Sequence, residues 1–234
     1  MKDPEIAAAP TAVESRFGVT SARVRAAGLV RRLGHAFVGH DGSDDLFEAL
    51  SGAVAPVIER LEAGPVRNRA LLTGGAMGGF SLFGDPPANG DRLSHFPDCV
   101  VSGSANPMGM AIAVRCENAE AVADVVLGAA FEGAPGRAHG GVVAAIFDDV
   151  MGYQLSILKV PGFTGRMTVT YRAPTPIGAP LVFRARLDGR EDRKLHVSAT
   201  AHTSDGHELI AEATATFIII PIERFAPAPP EAST

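Results

Sequence analysis

The sequence predicts an α+β protein: one long antiparallel sheet wrapped around a single central helix, behind a mainly helical N-terminal extension. Three observations predict it. Between residues 165 and 217, four stretches alternate apolar and polar side chains with period two, the mark of antiparallel strands with one buried face. Gly140 to Leu158 carries Val143, Ile146, Phe147, Val150, Met151 and Ile157 and is apolar on most sides, as a buried helix is. The order is strand, strand, helix, four strands, and one sheet around one helix is the simplest way to bury that helix.

Each element has its own signal. Ser21 to Val38 is rich in Ala and Arg and reads as a helix. A second helix begins at Ser43, an N-cap, with Asp44 and Asp45 in its first turn. Leu46, Phe47, Leu50, Val54, Val57, Ile58 and Leu61 then recur at helical spacing, and Pro56 inside the pattern predicts a kink or break. Residues 64–106 are rich in Gly, Pro and Asp and carry no assignable element. Met108 to Cys116 and Ala121 to Glu132 read as strands, and the helix from Gly140 should stop at Pro161 and Gly162. Gly165 to Arg172 places Met167, Val169 and Tyr171 on one face. Stretches starting at Leu181, Leu195 and Leu209 follow, joined by IGAP, DGRED and SDGHE turns. The expected organisation is an extension over 1–105, a domain over 106–221, and a Pro/Ala-rich tail over 222–234 that should be disordered.

Composition narrows the function. The chain has 234 residues, 46% hydrophobic and 20% charged, enough apolar content for a packed core. A formal net charge of −5 argues against nucleic acid as the partner. Cys99 and Cys116 have no His/Cys cluster around them and read as reduced thiols. No apolar run approaches the roughly 18 residues that span a bilayer. The first residues carry acids and prolines where a signal peptide is basic and then apolar, so a cytoplasmic protein is expected, off the membrane. The pairs His35/His40 and His202/His207 are five apart, wrong for one helical face, and DGSDD lacks the final Glu of a calcium loop. GGAMGGF at Gly74 lacks the Lys-Ser/Thr of a phosphate loop, and GFSLF around Ser81 misses a nucleophile elbow. No metal or cofactor is expected.

The chemistry concentrates in PGRAHGGVVAAIFDDVMG, Pro135 to Gly152. A Gly-rich turn with a histidine runs into an apolar helix carrying two adjacent acids. Burying a carboxylate costs several kcal/mol unless it is paired, hydrated or used. Asp148 and Asp149 differ by about 100° around the helix, so both cannot face one site.

Four stretches carry a resemblance: NPMGMAI from Asn106, EGAPGRAHGGVVAAIFDDVMG from Glu132, TGRMTVTYRAPTPIGAPL from Thr164 and AEATATFI from Ala211. Together they cover about half the chain, in agreeing order and spacing, and resemble hotdog-fold acyl-CoA thioesterases of the phenylacetate-pathway (PaaI-like) type. The resemblance implies the hotdog fold and hydrolysis of an acyl-CoA thioester, with no cofactor. It implies Gly140 N–H as oxyanion donor, a role that also suits a free N–H at a helix start. It selects Asp148, nine residues after His139, as general base on water or as nucleophile through an anhydride. His139 would orient the thioester or support the turn, Gly141 would contact substrate, and Thr164, 16 residues after Asp148, would position water. Arg137, Arg166, Arg172 and Lys194 are the candidates for the CoA phosphates. Asp149 would bond backbone or a neighbouring strand. Met151, Tyr153 and Phe163 hint at an apolar acyl pocket.

Gly140 and Asp148 are eight residues apart on one helix, about 12 Å along its axis. One thioester carbon cannot touch both, so a site combining two chains is expected, in a homodimer or homotetramer. The second reading is a non-catalytic acyl-CoA or lipophilic-ligand binding protein on the same fold. A hotdog dehydratase is disfavoured, because its D-x-N-x-x-H arrangement does not occur.

Overall fold

The computed structural model describes residues 17–67, 86–94 and 96–221. The tail, the Gly74 loop and Ser81 lie outside them.

Two helices open the described chain. Helix α1 spans Ser21–Gly39, and the Thr20 hydroxyl caps it by accepting from Arg23 N–H at 3.2 Å. Helix α2 spans Asp44–Glu62 under the expected Ser43 cap, which accepts from Leu46 N–H. The expected kink or break at Pro56 does not interrupt α2. The carbonyl that proline leaves without a donor, Gly52, lies on an exposed turn, open to solvent. The apolar repeat of α2 buries nothing: Leu46, Val57 and Leu61 are exposed, and α2 meets α1 through Phe37 and Phe47, ring centroids 5.2 Å apart.

Seven strands then form one antiparallel sheet. They are β1 (Arg92–Leu93), β2 (Ala113–Glu117), β3 (Glu120–Val126), β6 (Gly162–Tyr171), β7 (Pro180–Glu191), β8 (Lys194–Thr203) and β9 (Leu209–Ile219). Their order is β1-β2-β3-β7-β8-β9-β6, while β4 (Glu132–Ala134) and β5 (Arg137–Ala138) pair as a separate hairpin. Helix α3, Gly140–Leu158, packs on β3, β6, β7, β8 and β9. It ends at Leu158 as expected, with Lys159 in the left-handed conformation just before Pro161 and Gly162.

Period-two alternation places the inner face as expected. Leu181, Phe183, Leu195, Val197 and Phe217 are buried against Val143, Ile146, Phe147, Val150 and Met151. Phe147 and Phe183 meet edge-on at 5.0 Å. Burying each such side chain stabilises by roughly 1.5–3 kcal/mol. Gln154, fully buried, ties α3 to the sheet through Nε2–H donation to the Ala185 carbonyl at 2.8 Å.

Three expectations are corrected. The strand expected over Met108 to Cys116 starts only at Ala113, because Met110 and Ile112 donate instead to the Val100 and Val101 carbonyls of a neighbouring loop. The strand expected to reach Glu132 stops at Val126, and the chain turns through a 3₁₀ segment, Ala129–Phe131. Helix α3 is, by length and composition, apolar enough to cross a membrane, contrary to the expectation that no run approaches that length. It is instead a core helix, with Val143 through Ile157 packed under the sheet.

The extension bears on the site through the 3₁₀ turn. His35 of α1 accepts from Ala130 N–H at 3.1 Å, and its ring meets Phe131 edge-on at 5.0 Å. Burial, helped by the Arg31 charge, holds His35 below its ordinary pKa, which keeps that nitrogen an acceptor.

Candidate active site

The start of α3 is built around His139, its N-cap. His139 N–H donates to the Phe131 carbonyl at 2.9 Å, and Ala138 N–H to the Thr175 carbonyl at 2.9 Å. These bonds hang the turn between the 3₁₀ segment and the loop after β6. His139 Nδ1 accepts from Gly141 N–H at 2.9 Å. A nitrogen that accepts carries no proton, so the neutral ring holds its proton on Nε2, which is left free to donate. Gly140 N–H has no acceptor among the described residues, as the first N–H of a helix should not.

The glycines have steric reasons. A Cβ on Gly133 would lie 2.8 Å from His139 Cα, and one on Gly141 would lie 3.0 Å from His139 Nδ1. A Cβ on Gly140 would lie 3.3 Å from the Tyr171 hydroxyl. That hydroxyl donates to the Gly140 carbonyl at 2.7 Å. Gly133, Arg137, His139, Gly140, Tyr171 and Thr175 line an open groove of about 460 Å³.

The two acids divide as the 100° rotation requires. Asp148 is exposed, and Thr164 Oγ1–H donates to its Oδ1 at 2.7 Å. A bulge at Gly165 makes this possible, setting Thr164 opposite Phe217 and Arg166 opposite Thr216. Thr164 and Met167 therefore both face α3, although three residues apart. A side chain on Gly165 would meet Ile218 at 2.9 Å.

Asp149 turns inward beneath the loop that follows Asp98. The Cys99 thiol donates to its Oδ1 at 3.2 Å, and its Oδ2 has no hydrogen-bond partner among the described residues. Burial pushes the Asp149 carboxyl above its usual range, opposed by hydrogen bonds from Ser102 and Cys99 and reinforced by the Asp148 charge. Burial also pushes the Cys99 thiol up, with Asp149 adding to it. The buried acid is thus Asp149, bonded to a loop thiol rather than to backbone or strand, while the acid beside Thr164 is open at the chain surface.

The basic candidates are scattered. Arg137 is exposed at the groove. Arg172 borders the groove, but its guanidinium is held by Glu212, with Nε–H donating at 3.1 Å. Arg166 sits on the outer face of the sheet. Lys194 pairs with Ile218, itself opposite Phe163, at the far end from the groove. The structure brings Arg137, His139, Gly140 and Gly141 together at one end of α3 and Asp148 with Thr164 further along it. It does not bring Arg166 or Lys194 to the groove. Among the described residues no three His, Cys, Asp or Glu side chains gather as metal ligands would. Alternation puts Tyr171 on one face with Met167 and Val169, and the register agrees; what it does not reveal is that Tyr171, at the strand end and 49% exposed, reaches the helix start.

Comparison with known proteins places this arrangement. A solved thioesterase superfamily protein shares the fold over 90% of this chain and 93% of its own, with a TM-score of 0.65 and 20% identity. Sheet, central helix and helix-start turn together define a hotdog-fold protein. Residues 135–210, from the turn before His139 into β9, match the Thioesterase superfamily model. Mouse (Mus musculus) acyl-coenzyme A thioesterase THEM4 is 37% identical over 93 residues, 40% of each chain. Human (Homo sapiens) acyl-coenzyme A thioesterase THEM5 is 30% identical over 100 residues, 43% of this chain and 40% of that one. The chain spans about two fifths of the length of the curated relatives it matches.

Proposed function

We propose that this protein is an acyl-CoA thioesterase of the PaaI-like type, working as a homodimer or a homotetramer of such dimers. The observation that carries the proposal is the helix-start turn. Gly140 N–H and His139 Nε2–H, neither with an acceptor among the described residues, are two donors on one groove, suited to a thioester carbonyl oxygen as it gains negative charge on attack. Water attacks the carbonyl carbon as Asp148 of the partner subunit takes its proton. The tetrahedral oxyanion rests on the two donors, then collapses and expels the CoA sulfur, and the proton returns from Asp148 to that sulfur. Direct attack by Asp148, through an anhydride that water then opens, uses the same groups.

Three features support a two-chain site. Gly140 and Asp148 stand about 12 Å apart along one helix. Asp148 is open at the surface of the single chain. Strand β6, which carries Thr164, is a ten-residue edge whose outer side has no partner among the described residues, with Phe163 exposed on it. Such an edge is a template for pairing with a second copy. Arg137 is the basic residue best placed to meet a CoA phosphate. The reading calls on no cofactor, nucleic acid or membrane. The free thiols of Cys99 and Cys116 support a reducing compartment, the cytoplasm in this reading.

The test is release of CoA thiol from short, medium and aromatic acyl-CoAs. Turnover of at least one class is expected. Saturable binding of the esters without turnover of any would favour the ligand-binding protein instead.

A further inference from the structure

The Gly140–Gly141 peptide is gripped at both ends by side chains from different parts of the chain. Its carbonyl accepts from the Tyr171 hydroxyl at 2.7 Å, and its N–H donates to His139 Nδ1 at 2.9 Å. Tyr171 is the last residue of β6, 31 positions along the chain. Two successive glycines at a helix start are conformationally the least restrained pair the chain could place there. Unrestrained, their peptide rotates and the first turn frays. The Gly140 N–H, across the Gly140 Cα from the clamped peptide, points along the helix only while Gly140 keeps helical dihedrals.

We propose that Tyr171 is a positioning residue: by clamping the Gly140 carbonyl it holds Gly140 N–H in the direction that receives the thioester oxygen. The inference rests on the thioesterase reading. It has a second consequence. With the peptide clamped, Gly141 N–H stays committed to His139 Nδ1, so the His139 proton stays on Nε2. One hydroxyl thereby sets both donors of the groove. Glycine at position 140 leaves the Tyr171 hydroxyl room to approach, since a Cβ there would lie 3.3 Å from it and need a shift of a few tenths of an ångström. Strand β6 then supports both ends of the chemistry, Thr164 at Asp148 and Tyr171 at Gly140.

Tyr171→Phe keeps the ring and removes the single donor. On an acyl-CoA that the wild type hydrolyses, kcat is expected to fall about fivefold to tenfold, as loss of one hydrogen bond would produce, with KM within about twofold. Amide hydrogen exchange at Gly141 and Val143 is expected to rise at least about fivefold while the centre of α3 stays protected. Unchanged exchange at the helix start, an unchanged kcat, or faster exchange along the whole of α3 would each overturn the proposal. If the wild type hydrolyses no acyl-CoA, the thioesterase reading fails by itself. The exchange at Gly141 and Val143 then decides whether Tyr171 clamps the turn.

Discussion

Gly140→Pro is expected to lower kcat for acyl-CoA hydrolysis by roughly 10²–10³-fold, the usual effect of losing one oxyanion donor. Proline removes one N–H and nothing else that the helix needs. Gly140 is the first residue of α3, the position where helices accept proline most readily. His139, before it, already has φ −64° and ψ 132°, the extended conformation that a following proline demands. The removed N–H has no acceptor among the described residues, so none of their hydrogen bonds is lost. The new Cβ would lie 3.3 Å from the Tyr171 hydroxyl, a contact relieved by a shift of a few tenths of an ångström. Steady-state kinetics beside a thermal melt check the result. A kcat within a few-fold of wild type, in a folded protein, would move the oxyanion donor away from Gly140.

Asp148→Asn should lower kcat by roughly 10²–10⁴-fold with little change in Tm. The carboxamide has the same shape and still accepts from the Thr164 hydroxyl, but it cannot take a proton from water or attack a carbonyl. Asp149→Asn is the matched control and should leave kcat within about threefold. Burial favours the neutral Asp149 carboxyl, so its folded-state pKa stands above its unfolded value. Protonation of Asp149 therefore stabilises the fold fully below the unfolded value, about 3.9. That contribution is lost as pH rises through the raised folded value. Asp149→Asn should accordingly gain Tm over wild type at neutral pH, a gain that closes in acid. Melts between pH 4 and pH 8 read it.

Helix α3 was legible because two independent signals coincide: a glycine pair after a histidine marks its start, and apolar residues on most sides mark its body. The four C-terminal strands were legible because burial on one face enforces period two. The stretch from Met108 to Ile112 was not. Its apolar composition fits a strand, but its backbone hydrogen bonds go to Val100 and Val101, a loop pairing that no local pattern records. The run through Phe131 looked like more strand for the same reason, whereas the chain turns there to offer a carbonyl to His139. Helical rotation separated Asp148 from Asp149 in advance, and the resemblance chose between them. What rotation could not show is that the buried acid is the other one. Tyr171 escaped because its role is set by a partner 31 residues away, and Glu212 engages Arg172 from 40 residues away. Pairings of that range are products of sheet register rather than of spacing.

In the proposed dimer, one site takes Gly140 from one protomer and Asp148 from the other. The most direct measurement of this is turnover by a purified heterodimer with Gly140→Pro in one protomer and Asp148→Asn in its partner. Two-chain sites leave one of the two intact, so about half of the wild-type kcat per dimer should return from two parents that are each nearly inactive. A heterodimer no more active than its parents would contradict the account and confine each site to a single chain.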